Sequence, residues 1–358
     1  MPYRLSSSSD SMTPRERWLA LFHHQQPDRV PMDYWGTPEI TRKLMGHLGC
    51  TTRHRMLRKL HVDFVVHATP TYVGPKLQRN TDVFGIRYKT IYYGNGKYRE
   101  AIGHPLARYQ SLDEIVRDYT WPSPDWWDYQ RLPAQIQGFE DYPIRGGGSE
   151  PFLTYKELRG QEQALLDLIA QPEITHYCLD KLFELAYKNT LRILETLPGQ
   201  VTMTYIAEDL GCQRGLMLSP THIRTYLFPG MQRMIALTHQ AGAYVFHHDD
   251  GNIIRILPDL INLGIDLLNP IQWRADGMDR AMLKRQYGGQ LVLHGGMDNQ
   301  YTLPFGSVSE VRQEVLDNLH LLGKGGGYIL APCHNLQSIT PIEDILAMYE
   351  TGYKEGCY

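Results

Sequence analysis

Two stretches of this chain run as unbroken apolar, β-branched or aromatic residues and then break abruptly into acid–base and metal-type side chains. They are Tyr244-Val-Phe-His-His-Asp-Asp-Gly-Asn252 and Gly327-Tyr-Ile-Leu-Ala-Pro-Cys-His-Asn335. An uninterrupted apolar run fits a strand buried on both faces, the environment of a parallel sheet. A polar break beside Gly or Pro is what the carboxyl end of such a strand carries where it opens into an active site. The pattern points to an α/β enzyme.

Around these stretches, strand candidates fall at 29–34, 61–67, 144–148, 201–208, 243–248, 265–270, 290–295 and 327–332. From 201 onward helical patterns follow the strands, as at 253–263, 280–287, 309–322 and 341–353. Such alternation predicts parallel pairing through right-handed crossovers. Eight strands predict a single (β/α)8 TIM barrel, and 358 residues suit one. Thr13-Pro-Arg-Glu16 and Thr340-Pro-Ile-Glu343 each place Thr at the N-cap, Pro at N1 and Glu at N3, the pattern of a capping box. Ser219-Pro220 starts another helix, which Pro229 is expected to kink or break. Residues 82–101 alternate around Gly94-Asn-Gly96 and predict a β-hairpin inserted after the second strand. Residues 121–127 read as a loop packed by its own aromatics, and His23-His24 as the end of a capped helix. With no internal repeat or linker, one domain over 12–358 is the economical reading, preceded by a disordered leader at 1–11.

The net charge is −3, and the basic residues are dispersed, which argues against a nucleic-acid or membrane-surface footprint. Cys50, Cys178, Cys212, Cys333 and Cys357 are odd in number and lack framework spacing. Together with the absence of a signal-peptide pattern, this predicts a reducing, cytoplasmic location. Cys178 and Cys212 read as packing residues.

If the strands form a barrel, its mouth gathers their carboxyl ends: Asp33 and Tyr34, His67, Glu208 and Asp209, His247 to Asp250, Asn269 and Gln272, His294 and Asp298, Cys333 and His334. Most of these side chains bind metals or move protons. His248 and Asp250, two apart on a strand, share a face, and Cys333 would add a thiolate, giving three acceptable Zn²⁺ ligands. The blander alternative is that His248 and Asp250 only hydrogen-bond each other and the backbone. A one-residue shift of register would exchange His248 for His247. Glu208-Asp209 reads as a general acid pair, or, because neighbours on a strand diverge, as one residue in the mouth and one capping a helix. Asp298, in the glycine-flanked Gly295-Gly-Met-Asp-Asn299, lies where a ligand can approach the backbone closely. Asp33, Tyr34, His67, Asn269, Gln272 and His294 are the candidate substrate contacts, although Tyr34 fits core packing equally well. Arg145-Gly-Gly-Gly148 looks like a phosphate loop but lacks the lysine and spacing of one.

At these residues the chain resembles the uroporphyrinogen decarboxylase-like superfamily. The resemblance is carried by Thr13-Pro-Arg-Glu-Arg with Pro27-Asp-Arg-Val-Pro31, Glu208-Asp-Leu-Gly211 with Leu218-Ser-Pro220, and His248-x-Asp-Gly251. It continues through Asn269-Pro-Ile-Gln272, Gly295-Gly-Met-Asp298, Gly325-Gly-Gly-Tyr-Ile-Leu-Ala-Pro-x-His-Asn335 and Pro341-x-Glu-Asp-Ile345. It implies a barrel with its site at the strand ends, and a homodimer. The decarboxylase branch carries an Arg-Gln-Ala-Gly-Arg segment where this chain reads Met32-Asp-Tyr-Trp-Gly-Thr-Pro38, without the arginine pair. The corrinoid-dependent methyltransferase branch is similar in holding Zn²⁺ through His-x-Cys and a distant Cys. Here His248 matches the His, Asp250 stands in place of the first Cys, and Cys333 matches the second. The resemblance therefore implies a zinc methyltransferase: His248, Asp250 and Cys333 on the metal, Glu208 and His334 moving protons, Asp298 orienting a small methylated substrate or thiol. The methyl carrier is expected to be a corrinoid on a partner protein. The alternative is a metal-free decarboxylase or lyase of a small carboxylated substrate, with Asp298 or Asp250 stabilising a cation and His334 reprotonating the carbanion.

Overall fold

The computed structural model describes residues 10–94 and 96–358. Its frame is α/β: a sheet of seven strands in the order β1 (Val66–Ala68), β2 (Ile144–Ser149), β3 (Met203–Ala207), β4 (Tyr244–His248), β5 (Leu267–Ile271), β6 (Val292–Met297) and β7 (Tyr328–Pro332). The pairs β2–β3, β3–β4, β4–β5 and β6–β7 are parallel. Every residue of β5, β6 and β7 is buried, as uninterrupted apolar runs require. The six strands expected from residue 144 onward all form, within two residues of their expected bounds.

The first two expected strands fare differently. Of 61–67 only a short β1 survives, and 29–34 is not a strand. Leu330 donates to the carbonyl of Pro31 and Asp33 donates to that of Leu330, which makes one parallel bridge at Met32. Pro31 has no N–H to extend the ladder, and the next parallel bridge, Gly36 with Leu336, comes four residues on. In this sheet the eight-stranded expectation is thus corrected, among the described residues, to seven strands, with the isolated bridge at Met32 where the first was expected.

Helices follow the capping chemistry closely. In α1 (Pro14–Phe22) both halves of the Thr13/Glu16 capping box are made. The Ser219-capped helix Pro220–Tyr226 ends just before Pro229, and α4 (Phe228–Gln240) begins anew there. Three helices lie between β2 and β3, among them α2 (Pro151–Arg159) and α3 (Pro172–Thr196). A capping box not anticipated, Ser307 with Glu310, starts α5 (Val308–Asn318). The one expected at Thr340 is not made: α6 (Ile342–Glu355) starts a residue later, with Pro341 at the N-cap and Thr340 buried. The hairpin forms, from Arg87–Tyr93 and Gly96–Gly103.

The chain divides into two compact units. One takes in the described residues up to Val66, with Gly138–Pro143 and Arg280–Tyr358; the other comprises His67–Gln137 and Ile144–Asp279. Residues 1–9, most of the expected leader, lie outside the described residues. Its last two, Asp10 and Ser11, are tied down: Ser11 donates to Asp28 at 2.8 Å, and Asp10 pairs with Arg17 and Arg29.

These bonds belong to a buried ionic cluster in the first unit. Asp63, fully buried, accepts from Arg17 at 2.9 Å, from Arg29 at 2.7 and 3.0 Å, and from the Met32 amide at 3.0 Å. Arg17 grips Asp28 with two further bonds, at 2.6 and 2.9 Å. Removing one partner of a buried pair leaves uncompensated charge. Asp63→Ala is expected to destabilise the protein by about 3–5 kcal/mol, read from urea unfolding. A loss below about 1 kcal/mol would place this cluster with ordinary surface pairs.

Candidate functional site at the ends of strands β2 to β5

Strand β4 carries the two histidines to different surroundings. His247 is fully buried, and its Nδ1–H donates to the Ile206 carbonyl at 2.7 Å. Burial, followed by the neighbouring His248, drives its pKa down to about 4 against that hydrogen bond, so it stays neutral. His248 is the residue on the polar side. Its Nδ1 lies 2.6 Å from Asn269 Oδ1, an acceptor, so Nδ1 carries the proton and Nε2 the lone pair of the neutral ring. Nε2 lies 3.7 Å from Asp209 Oδ1, which is buried and without a hydrogen-bond partner.

The loops after β3 and β4 interlock. Asp249 Oδ1 accepts from the amides of Leu210 and Gly211 at 2.8 and 3.1 Å, and the Asn252 amide donates to the Cys212 carbonyl at 2.8 Å. A Cβ on Gly211 would strike the Asp250 carbonyl, and one on Gly251 the backbone of Cys212. Beyond β5, Gln272 accepts from the Gly251 amide at 2.6 Å and donates to Asp250 Oδ1 at 3.1 Å. Asn269 and Gln272, expected as substrate contacts, thus orient His248 and Asp250.

Neighbours on a strand diverge, and Glu208-Asp209 obeys the rule. Asp209 reaches His248, whereas Glu208 is fully buried and accepts from the Phe152 amide in the first turn of α2 at 3.1 and 3.2 Å. Burial, with the Glu150 and Asp249 carboxyls nearby, raises its pKa well above the usual range despite that bond. Cys212, read as a packing residue, is exposed; Cys178 is buried as expected.

Three residues near His248 were not among the expected site residues. Tyr205 stacks on the His248 ring at 5.8 Å, and the Arg145 guanidinium lies 4.5 Å from the centre of the Tyr205 ring. Glu150 follows the Gly-rich β2, and burial, then the Asp209 charge, pushes its pKa up to about 7. Arg145 and Glu150 stand out in the sequence as the charged residues that flank the glycines of Arg145-Gly-Gly-Gly-Ser-Glu150, whereas nothing in it marks Tyr205 or its contact with Arg145. His67, exposed, lines a cleft with Arg145.

The other expected residues lie in the first unit. Asp33 meets His294 at 3.1 Å and accepts from the Tyr34 amide and the Trp35 indole. Burial opposes its ionisation, but the bond and charge of His294 lower its pKa overall. Tyr34 is buried, with its hydroxyl on Thr41 at 2.9 Å, which is the packing role. Asp298 accepts from the Gln300 and Thr302 amides at 2.9 and 3.2 Å, leading into the short helix Thr302–Phe305. Cys333, buried, and His334, partly exposed, follow directly on β7.

A pKa of about 7 in the folded chain against an ordinary 4.5 means that folding favours protonated Glu150. That stabilisation is largest at low pH and is lost as pH rises toward and past 7. Glu150→Gln, which cannot ionise, is expected to be relatively more stable at about pH 8 than at about pH 5, by up to about 3 kcal/mol. Urea unfolding at both pH values measures this, and an equal pH dependence in variant and wild type would refute it.

Known proteins share both the sequence pattern and the fold. Residues 137–354 match the family model described as Uroporphyrinogen decarboxylase (URO-D). The chain is 22% identical to a uroporphyrinogen decarboxylase of Psychromonas ingrahamii, over 57% of this chain and 52% of that protein. It is 28% identical to one from Thermus thermophilus, over 62% of this chain and 60% of the relative. The matched region thus spans little more than half the length of these curated relatives. A solved methyltransferase from Methanosarcina mazei shares the fold, with a TM-score of 0.69 and 18% identity, covering 96% of this chain and 99% of the other. With the larger part of its length matched, the chain belongs to the uroporphyrinogen decarboxylase (URO-D) family.

Proposed function

We propose that this protein is a metal-dependent methyltransferase on a (β/α)8-type scaffold, with His248 and Asp250 offering ligand atoms to a divalent ion. The observation that carries the reading is the pair of orienting amides. Metal-bound histidines nearly always give their second ring N–H to an oxygen, and Asn269 takes that of His248. Gln272 steadies Asp250 in the same way. The orphaned Asp209 Oδ1, buried beside His248 Nε2, also fits a nearby cation.

An imidazole and a carboxylate suit zinc as well as other divalent transition metals. The set expected from the sequence adds Cys333. A bound ion supplies Lewis acidity, acidifying a thiol or polarising an ether oxygen. The chain's own residues do the rest. His248 is held in one tautomer, and Tyr205 walls one side of its ring. Glu150, ionising near neutrality, holds or releases a proton beside Asp209. The fold shared with a solved methyltransferase supports methyl transfer, and the carrier in this reading is a corrinoid on a partner protein.

The names of the curated relatives favour a second reading, a metal-free decarboxylase of a small carboxylated substrate. Elemental analysis of tag-free protein separates the two. The expected outcome is about one zinc per chain, lost in His248→Ala and Asp250→Ala while far-UV circular dichroism stays native. Loss in Cys333→Ala as well would support the third ligand expected from the sequence. A wild-type protein without metal after growth in zinc-supplemented medium would refute the methyltransferase mechanism and leave the decarboxylase.

A further inference from the structure

Two clefts adjoin at the end of β2, sharing Gly148, Ala186 and Asn189 in their walls. The first, about 220 Å³, holds Arg145 and His67. The second, about 230 Å³, holds Ser149, Glu150 and the rings of Phe84 and Trp127. The glycines between them answer to close packing: a Cβ on Gly147 would strike Thr190, and one on Gly148 the Tyr205 carbonyl. Two further features prepare the clefts for a polar ligand. Ser149 Oγ is buried without a hydrogen-bond partner, in a residue only 7% exposed. Asn189 takes the Tyr129 hydroxyl on its Oδ1 at 2.7 Å, which leaves its NH₂ group as the donor end of the side chain.

We propose that these clefts form one groove that binds a small organic carboxylate, with the carboxylate on Arg145 and His67 and the body of the molecule along Gly148 and Asn189 toward Ser149. A guanidinium fixed over an aromatic ring is pre-organised for two-pronged recognition of a carboxylate. The apolar walls of Leu182, Leu185, Phe84 and Trp127 suit a hydrocarbon body. With about 220 and 230 Å³ in its two halves, the groove lies near the small end of ligand pockets, so the ligand is a single ring or short chain and not a macrocycle. Tyr205 sets the reach: its ring meets Arg145 on one hand and His248 on the other, so the anion seat lies one aromatic ring away from His248. Such a groove deepens the methyltransferase reading, and rests on it in taking His248 as part of the reacting centre.

The test is isothermal titration of the wild-type protein with butyrate, benzoate and phenylacetate, and with the matching neutral amides. At least one carboxylate is expected to bind at least tenfold more tightly than its amide. Arg145→Gln is expected to abolish that preference, and Arg145→Lys, which keeps the charge without the fork, to retain part of it. Equal binding of acids and amides, no binding of any acid at millimolar concentration, or an unchanged preference in Arg145→Gln would each overturn the proposal. The wild-type comparison stands even if a variant misfolds. Metal analysis of the same wild-type sample keeps failure of the two readings apart: carboxylate preference without metal leaves the groove and removes the methyltransferase, and metal without carboxylate preference does the reverse.

Discussion

A carboxylate that reaches no solvent organises the polar end of strands β3 and β4. Asp249 commits one oxygen to the amides of Leu210 and Gly211, and so ties the loop after β3 to the loop after β4. Burial raises its pKa well above the carboxylate range while those two amides pull it down. Leaving that carboxyl without its amides would cost more than an ordinary hydrogen bond, because nothing else is there to solvate it. The tie fixes where the chain turns at Asp209 and at Asp250, and from there where both side chains stand relative to His248. Asn269 and Gln272 complete the arrangement from β5. The site is therefore positioned by groups other than His248 and Asp250 themselves.

The amino-terminal segment uses the opposite strategy. Where β3 and β4 are joined by a neutralisable acid, Arg17, Arg29, Asp10, Asp28 and Asp63 share charge among several partners, so no one ion is left alone. The segment around Met32 is paired only through isolated backbone bridges, to Leu330 and, at Gly36, to Leu336. Ion pairing adds to them, and the Asp63 side chain takes the amide of Met32.

Much of the fold was legible from residue 144 onward because burial on both faces leaves an unmistakable apolar run, and Thr13 and Ser219 announced their helices through side-chain caps. Proline marked two places where local rules fell short. At Pro31 the apolar run read as a strand but pairs only through isolated bridges, and at Pro341 the ring itself took the N-cap position meant for Thr340. At the site, composition named His248, Asp250, Asn269 and Gln272 as polar strand-end residues, but that Asn269 and Gln272 orient the other two depends on which atoms meet, which spacing does not encode. Glu208 and Asp209 were separable in principle from strand alternation alone. Arg145 and Tyr205 were not, because a ring contact between two strands leaves no trace in either strand's sequence.

The interlocked glycines carry a consequence for how such a chain diversifies. Gly211 and Gly251 each stand against the backbone of the opposite loop, so neither position tolerates a side chain unless the other loop is rebuilt at the same time. Single substitutions that reshape the floor beneath His248 are thereby closed off. The rim formed by Arg145, Ser149 and Glu150 is under no such mutual restriction, since their side chains line open clefts or project beside them. New ligand preferences in this scaffold are reached one step at a time through that rim, while the floor is inherited whole.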